Sequence, residues 1–285
     1  MFDRSHIGTL LSQGFRLFQV FSLDVVGGAL AVGVFAANTL HVSPNPWWWP
    51  VLALSVWVIY TADHLIDGYA KKQNAVILRH RFHYRYRRFF LVSMAVAALA
   101  ALVLVWHFMD HRILLWGMFL GLWALGYLLL ILLVYKSGFY FHKEFFISLF
   151  YVAGIWLAPV IWHGKPLSYS QILTLGVFVL LAWAEGLVMT LFEQKDDRAD
   201  HMGSFSTYYG ASFTKLFSGV LLSVALLASV FLLWDVPDLR KEYAILTAMA
   251  TVLLVLLLFD RFFQTGQRYR ATGEFTFWLP FLLLL

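Results

Sequence analysis

The chain has 285 residues, of which 61% are hydrophobic and only 13% are charged, against roughly 25% charged residues in an ordinary soluble domain. This composition excludes a water-soluble globular protein. The chain contains no cysteine, which excludes disulfide bonds, thiolate catalysis and cysteine-bound zinc or iron–sulfur centres. The formal net charge is +5, but no basic soluble domain accompanies it. A nucleic-acid partner is therefore not expected, and no protein partner is indicated.

Apolar runs of about 20 residues recur along the chain, and each can cross a hydrocarbon layer of about 30 Å as a helix. They predict nine membrane-spanning helices. Eight cover residues 19–40, 47–66, 89–109, 113–135, 145–162, 172–192, 213–234 and 243–263, and the ninth starts near Phe275. The ninth is short, because a helix from Phe275 to the last residue rises only about 16 Å. We expect an all-α, polytopic membrane helical bundle that forms a single domain over residues 1–285.

The distribution of lysine and arginine predicts the orientation, because cationic connections stay on the cytoplasmic side of a membrane. With the N-terminus inside, 17 of the 21 lysines and arginines lie inside, and the four outside are Arg112, Lys165, Arg240 and Lys241. The long polar stretches 67–88, 193–210 and 264–274 then lie together on the cytoplasmic side. The pattern predicts an integral protein of the cytoplasmic (inner) membrane with a cytoplasmic N-terminus.

The second predicted helix ends in the sequence YTADHLIDGY, in which Asp63 and Asp67 are four residues apart. That spacing places both carboxylates on one helical face about one turn from each other, where they repel. Placing charges at membrane depth also costs free energy. A divalent cation bound between the two carboxylates offsets both this cost and their repulsion. Mg²⁺ is typically held by one or two carboxylates together with substrate phosphates and waters. Asp63 and Asp67 are therefore candidate metal ligands and catalytic residues.

The sixth predicted helix ends in LFEQKDDRADHMG, which offers two further carboxylate pairs at the same spacing. One register pairs Glu193 with Asp197, and the other pairs Asp196 with Asp200. The alternative is an ordinary solvated connection in which neighbouring basic residues neutralise the acids. Because both acidic clusters lie on the same predicted side and at matching depth, we favour a metal site shared between them.

Asp24 and Glu185 also fall within predicted spans, where an ionisable group indicates a functional site. Glu185 lies eight residues before Glu193 on much the same helical face, so we expect it to face the site as a catalytic group. Asp24 lies in the first predicted helix and is a candidate for substrate binding.

Basic residues accompany the two acidic clusters on the predicted cytoplasmic side. Arginine binds phosphate oxygens through two nitrogens and lysine binds them as a point charge, which suits an anionic lipid diphosphate. The candidates for substrate binding are Arg79, His80, His83, Lys136, Lys143 and Arg198. The alternative for these cations is a positive-inside anchor whose long side chains reach the lipid headgroups.

This pattern resembles the UbiA superfamily of intramembrane prenyltransferases, in which nine helices carry two aspartate-rich motifs at the cytoplasmic ends of the second and sixth. The segment SLDVVGG at residues 22–28 is similar to the family's opening stretch. Asp63 and Asp67 match the last two acids of the first motif. Asp197 begins a match to the Asp-Arg-Ala of the second motif, which puts Glu193 at the preceding acid. The resemblance thus favours the Glu193 and Asp197 register.

The chain also departs from the family pattern. Ile59 and Tyr60 stand where the first motif usually begins with Asn-Asp, so one expected metal ligand is missing. Glu193 stands where the second motif usually has Asp, and Arg79 and His80 replace an Arg-Pro. These departures indicate a divergent member of the family.

The resemblance implies Mg²⁺-dependent transfer of a prenyl group from a polyprenyl diphosphate to an acceptor, with the lipid tail in the membrane. It implies four metal ligands, namely Asp63, Asp67, Glu193 and Asp197. Glu185 or a nearby tyrosine would take the proton of the acceptor. One alternative is a terpene cyclase or diphosphate lyase on the same fold, which needs no acceptor. Another is a non-catalytic lipid-binding or transport protein, which the missing first-motif acid favours.

Overall fold

The computed structural model describes residues 17–71, 78–134, 140, 142–199 and 203–285, with side chains for all of these except residues 70, 71, 78–80, 132 and 134. Within this part of the chain every regular element is a helix, as predicted. The α-helices are α1 (Leu23–Thr39), α2 (Trp48–Lys71), α3 (Leu78–Arg85), α4 (Arg87–Phe108), α5 (His111–Val134), α6 (Lys143–His163), α7 (Tyr169–Ala199), α8 (Phe205–Tyr209), α9 (Ala211–Asp235), α10 (Arg240–Leu258), α11 (Asp260–Gln264) and α12 (Arg268–Thr276). The 3₁₀ segments are Pro237–Leu239, Thr265–Gln267 and Leu279–Leu284.

Seven of the described helical segments are long and apolar enough to cross a membrane, as expected for a polytopic membrane protein. They are Trp48–Tyr69, Arg87–Phe108, His111–Ile131, Lys143–His163, Tyr169–Ala199, Ala211–Asp235 and Pro237–Leu258. α1 is also apolar but has only 17 residues. Where the ninth span was predicted, the chain instead forms the end of α12 and the 3₁₀ segment Leu279–Leu284. The count of nine spans and the orientation stay predictions.

The span predicted over 243–263 ends earlier than expected, because α10 stops at Leu258 and the short helix α11 begins at Asp260. The Asp260 carboxylate accepts a hydrogen bond from the backbone N–H of Arg261 at 2.7 Å and pairs with Lys215 Nζ at 2.5 Å. These polar contacts hold the first turn of α11 at the end of the bundle. The apolar run in the sequence predicted a span that continued to residue 263, because residues 259–263 include three phenylalanines.

The centre of the bundle is built on α1, whose alanines allow neighbouring helices to approach closely. Ala29, Ala31 and Ala36 are fully buried, and so is Phe35, which packs edge-on against Phe178 of α7 with ring centroids 4.8 Å apart. α4 and α5 lie at the periphery and present large apolar side chains outward. This inside-to-outside arrangement suits a bundle surrounded by lipid, in which apolar residues cover the outer surface as well as the core.

The end of the chain packs against α1 at a glycine. Trp278 lies directly on Gly27, and its Nε1 donates a hydrogen bond to the backbone carbonyl of Asp24 at 2.8 Å. A Cβ added at Gly27 would lie 2.0 Å from the Trp278 ring. Only glycine allows this contact without displacement of a rigid indole, so Gly27 holds the C-terminal segment and α12 near the acidic ends of the bundle.

We expect Gly27→Ala to destabilise the protein by about 1–3 kcal/mol, because overpacking forces the Trp278 ring and its hydrogen bond to move. The measurement is thermal unfolding of the purified protein in detergent micelles. The matched control is Gly176→Ala on α7, where an added Cβ meets nothing within 4 Å, so the higher helix propensity of alanine should raise stability by up to about 1 kcal/mol. Equal melting temperatures for Gly27→Ala and the unmodified protein would contradict the expected clash.

Candidate functional site

The helices surround a cavity of about 220 Å³ at the end of the bundle where α2 and α7 carry their acidic residues. Residues of α1, α2, α6, α7 and α12 form its wall together with residues 203–204 and Phe277. We call it the acidic cavity, because the carboxyl-bearing residues in its described wall are Asp63, Asp67, Glu144, Glu185, Glu193, Asp197 and Glu274. The structure thus brings both predicted acidic clusters and Glu185 to one cavity.

Lys143 neutralises the first acidic pair. Its Nζ lies 2.8 Å from Asp63 Oδ1 and 3.2 Å from Asp67 Oδ2. A cation between the two carboxylates relieves the repulsion that their spacing imposes. Because Lys143 is the first residue of α6 and both acids belong to α2, the contact also joins these helices. The sequence predicted a phosphate-binding role for Lys143, and the structure places it in the cavity wall beside the carboxylates.

Arg270 neutralises Glu193 of the second cluster. Its Nη2 pairs with Glu193 Oε1, and the Tyr269 hydroxyl donates to the same oxygen at 3.4 Å. Burial lowers the pKa of the Arg270 guanidinium, but the charge and hydrogen bond of Glu193, together with Tyr269 and Glu274, raise it by more in sum, so the net pKa is raised and Arg270 stays charged. Both α12 residues lie in the polar stretch 264–274. The sequence placed that stretch on the cytoplasmic side without connecting it to the acids.

The two registers of the second cluster differ in their position relative to the cavity. Glu193 and Asp197 are buried and line the acidic cavity. Asp196 is half-buried and is not among the residues of the described wall, and Asp200 lies outside the described residues. Arg198 is exposed and does not line the cavity, so its predicted contact with a substrate gains no support from its position.

Two other predicted substrate-binding residues lie outside the described cavity wall. Asp24 is buried near the start of α1, where its carboxylate accepts a hydrogen bond from the backbone N–H of Val25 at 3.0 Å. His83 is buried and stacks on Phe90 with ring centroids 4.1 Å apart, so it packs α3 against α4. The predicted positions that fall outside the described residues or side chains are Arg79, His80 and Lys136.

Glu144 forms part of the cavity wall and was not predicted from the sequence. Its carboxylate accepts hydrogen bonds from the Tyr140 hydroxyl and, at 3.0 Å, from the backbone N–H of Phe205. Burial and the nearby charge of Glu144 both raise the pKa of Tyr140 well above its usual value, so Tyr140 is a neutral donor. These bonds tie the start of α6 to α8 and fix residues 203–204 in the wall. The local sequence gives only a weak signal, an acid in the first turn of a helix.

α12 packs closely over Glu185. A Cβ added at Gly273 would lie 2.9 Å from Glu185 Oε1 and 2.6 Å from Met189 Cε. The backbone of α12 therefore approaches α7 at the level of Glu185, which also lines the acidic cavity. Glu185 precedes Glu193 by eight residues on α7, so it lies farther from the acidic end of that helix than Glu193 and Asp197 do.

The donor set of the acidic cavity suits Mg²⁺. Carboxylate oxygens are the protein ligands that Mg²⁺ prefers, and both pairs predicted from the sequence lie in one wall. Within the described residues, no group of three acidic or histidine side chains is arranged to hold a metal ion by itself. Mg²⁺ commonly uses only one or two carboxylates and completes its shell with substrate phosphates and waters. The residues therefore fit an Mg²⁺ ion that binds together with a phosphate ligand.

Two apolar spaces lie beyond the acidic cavity, and the smaller one shares lining residues with it. The larger one, of about 500 Å³, lies between α2, α4, α5 and α6, and we call it the apolar groove. Small residues in its wall include Ala98, Ala101, Gly117, Gly121 and Gly154. A linking space of about 80 Å³ shares Tyr60, Ile147 and Tyr151 with the acidic cavity. It shares a further set with the apolar groove, namely Leu52, Ser55, Ile59, Ala124, Leu128, Phe150 and Gly154.

Comparison of the chain with models of known protein families, with curated proteins and with solved structures finds no match. The functional interpretation therefore depends on the acidic cavity, the apolar groove and the chemistry of their residues.

Proposed function

We propose that this protein is an Mg²⁺-dependent intramembrane prenyltransferase that moves a prenyl group from a polyprenyl diphosphate to an acceptor. The observation that carries the proposal is the juxtaposition of two spaces with opposite chemistry. The carboxylates of both acidic clusters line one cavity, and that cavity shares a wall with a space leading to the apolar groove. A lipid diphosphate has the matching halves, a strongly charged headgroup and a hydrocarbon tail.

The headgroup would occupy the acidic cavity. Asp63, Asp67, Glu193 and Asp197 would hold Mg²⁺, which neutralises the charge that develops on a departing diphosphate. Lys143 and Arg270 line the same cavity and would donate hydrogen bonds to phosphate oxygens, Arg270 through two nitrogens and Lys143 as a point charge. These two cations each contact a carboxylate in the structure, so the cavity brings donors for the phosphates and ligands for the metal together.

In the proposed reaction the allylic C–O bond breaks and its electron pair leaves with the diphosphate. The nucleophilic atom of the acceptor then bonds to the prenyl carbon and releases a proton. Glu185 would accept this proton, because it lines the same cavity but lies eight residues before Glu193 on α7, away from the two α7 acids of the headgroup site. Preorganised charges around the diphosphate are the largest expected source of rate enhancement.

The test is release of diphosphate from geranyl, farnesyl and geranylgeranyl diphosphates by the purified protein with Mg²⁺, followed by analysis of the lipid products. We expect release in the unmodified protein and none above background in Asp63→Asn/Asp67→Asn. Release together with a hydrocarbon or alcohol product and no acceptor adduct would favour a cyclase or lyase. Binding with full recovery of intact diphosphate would favour a lipid-binding or transport protein.

A further inference from the structure

Tyr60 and Tyr151 stand at the junction between the acidic cavity and the linking space. Both residues line both spaces. Their rings pack edge to face, with centroids 6.4 Å apart and an interplanar angle of 82°. Tyr151 also packs edge-on against Phe277, which lines the acidic cavity, with centroids 6.1 Å apart. The rings of Tyr60 and Tyr151 thus form an aromatic wall between a charged space and an apolar one, and Phe277 packs against it from the side of the acidic cavity.

The chemistry of the lining changes at this wall. Seven carboxyl-bearing residues line the acidic cavity, whereas the far side of the linking space is lined by aliphatic and aromatic residues such as Leu52, Ile59 and Phe150. A molecule that occupies both spaces must change from charged to hydrocarbon where it passes the two tyrosines. A tyrosine side chain suits such a boundary, because its ring is apolar and its hydroxyl is polar.

The linking space is also small. Its volume is about 80 Å³, roughly half of the ~150 Å³ apolar cavity that accepts a benzene molecule. So small a volume suits part of one hydrocarbon chain better than two chains side by side. The apolar groove that follows is larger, at about 500 Å³. Gly154 lines both spaces, and a Cβ added there would meet only Leu120 Cδ2 at 3.8 Å.

We propose that Tyr60 and Tyr151 form a selectivity gate, which admits an amphiphile with a single hydrocarbon chain and excludes lipids with two chains. The headgroup lies in the acidic cavity, the first part of the tail passes the two rings, and the rest of the tail lies in the apolar groove. This inference rests on the proposed function for its diphosphate headgroup. Tyr60 stands where the UbiA first motif has an acid, and in this proposal it borders the path of the lipid tail. The departure from the motif thereby gains a function.

The test compares three probes with Mg²⁺ in detergent micelles: inorganic diphosphate, dodecyl diphosphate, and a dialkylglycerol diphosphate with two chains. We expect the unmodified protein to bind the single-chain probe at least about tenfold more tightly than inorganic diphosphate, and the two-chain probe no more tightly than inorganic diphosphate. Tyr60→Ala/Tyr151→Ala widens the gate and should bind the two-chain probe at least about tenfold more tightly than the unmodified protein does. Tyr60→Phe keeps the ring and should retain the discrimination.

A second variant tests the same path if the double alanine variant does not fold. Gly154→Leu fills the linking space and should reduce dodecyl diphosphate binding to the level of inorganic diphosphate, while inorganic diphosphate binding stays within about threefold. Gly176→Leu is the matched control, because Gly176 is exposed on α7 and has no neighbour within 4 Å of an added Cβ. If either gate variant folds and binds the three probes with the same relative affinities as the unmodified protein, the gate is overturned, but the proposed headgroup site is not. Failure of the unmodified protein to bind any probe overturns both.

Discussion

Asp197→Asn should weaken Mg²⁺-supported diphosphate binding by at least about 30-fold, or about 2 kcal/mol. Asp197 is buried and lines the acidic cavity together with Glu193, Asp63 and Asp67. Replacement of its carboxylate by an amide removes one charged oxygen ligand from a site that depends on charge. The measurement is a calorimetric titration of the purified protein with inorganic diphosphate at a fixed Mg²⁺ concentration.

The matched control is Asp196→Asn, one residue earlier on the same helix. Asp196 is half-buried and does not belong to the described cavity wall, and a carboxylate in such a position usually contributes under about 1 kcal/mol. We expect binding within about threefold of the unmodified protein for this control. If Asp196→Asn weakens binding more than Asp197→Asn does, the site uses the other register of the second cluster, and the assignment of Asp197 is wrong.

Arg270→Met should be among the most destabilising single substitutions at the site, with an expected loss of about 3 kcal/mol. The guanidinium pairs with Glu193, and the two side chains are only 18% and 10% exposed. Removal of one member of a buried ion pair leaves a charge in a low-dielectric environment, and that cost exceeds the loss of the attraction itself. Thermal unfolding without Mg²⁺ measures the effect, which should appear as a fall of several degrees in the melting temperature.

Two further variants distinguish the ion pair from a general effect of changing α12. Arg268→Met removes an exposed arginine of the same helix, whose guanidinium lies 4.8 Å from the centroid of the Phe262 ring, and should cost under about 1 kcal/mol. Glu193→Gln/Arg270→Met removes both charges and should recover most of the stability lost in Arg270→Met. A double variant as unstable as Arg270→Met alone would show that packing of Arg270, not its charge, stabilises α12.

The helices were predictable because a membrane span requires a long apolar run, and such runs are visible in the sequence. The seven spans match predicted runs with shifts of a few residues at most ends. The largest differences lie where polar residues determine the ends. α7 continues past the predicted end at residue 192 to Ala199, since its acidic turn stays helical, and α10 stops before Asp260. Where the short ninth span was predicted, the described residues form the end of α12 and a 3₁₀ segment, and the ninth span stays a prediction.

The acidic part of the site was also predictable, because carboxylates four residues apart share one helical face. The same spacing argument selected Asp63 with Asp67 and offered Glu193 with Asp197, and all four line the acidic cavity. The partners of these acids were not predictable. Nothing in the local sequence distinguishes Arg270, which pairs with Glu193 across 77 positions, from the arginines predicted to reach lipid headgroups.

Contacts between distant segments explain the remaining differences. A hydrogen bond from the backbone N–H of Phe205 in α8 positions Glu144. Ring contacts with Tyr60 and Phe277 position Tyr151. Tyr60 was noted in the sequence only as a departure from the UbiA motif. Its place at the boundary between the acidic cavity and the linking space depends on how α2 packs against α6, which periodicity within one helix does not determine.

The most direct test of the central claim, that both acidic clusters act on one Mg²⁺–diphosphate ligand, is a double-mutant cycle between Asp67 and Asp197. Binding of inorganic diphosphate with Mg²⁺ is measured for the unmodified protein, Asp67→Asn, Asp197→Asn and the double variant. If the two clusters share the ligand, the double variant binds little more weakly than either single variant, which gives a coupling energy of about 1 kcal/mol or more. Additive losses, within about 0.5 kcal/mol, would contradict a shared site.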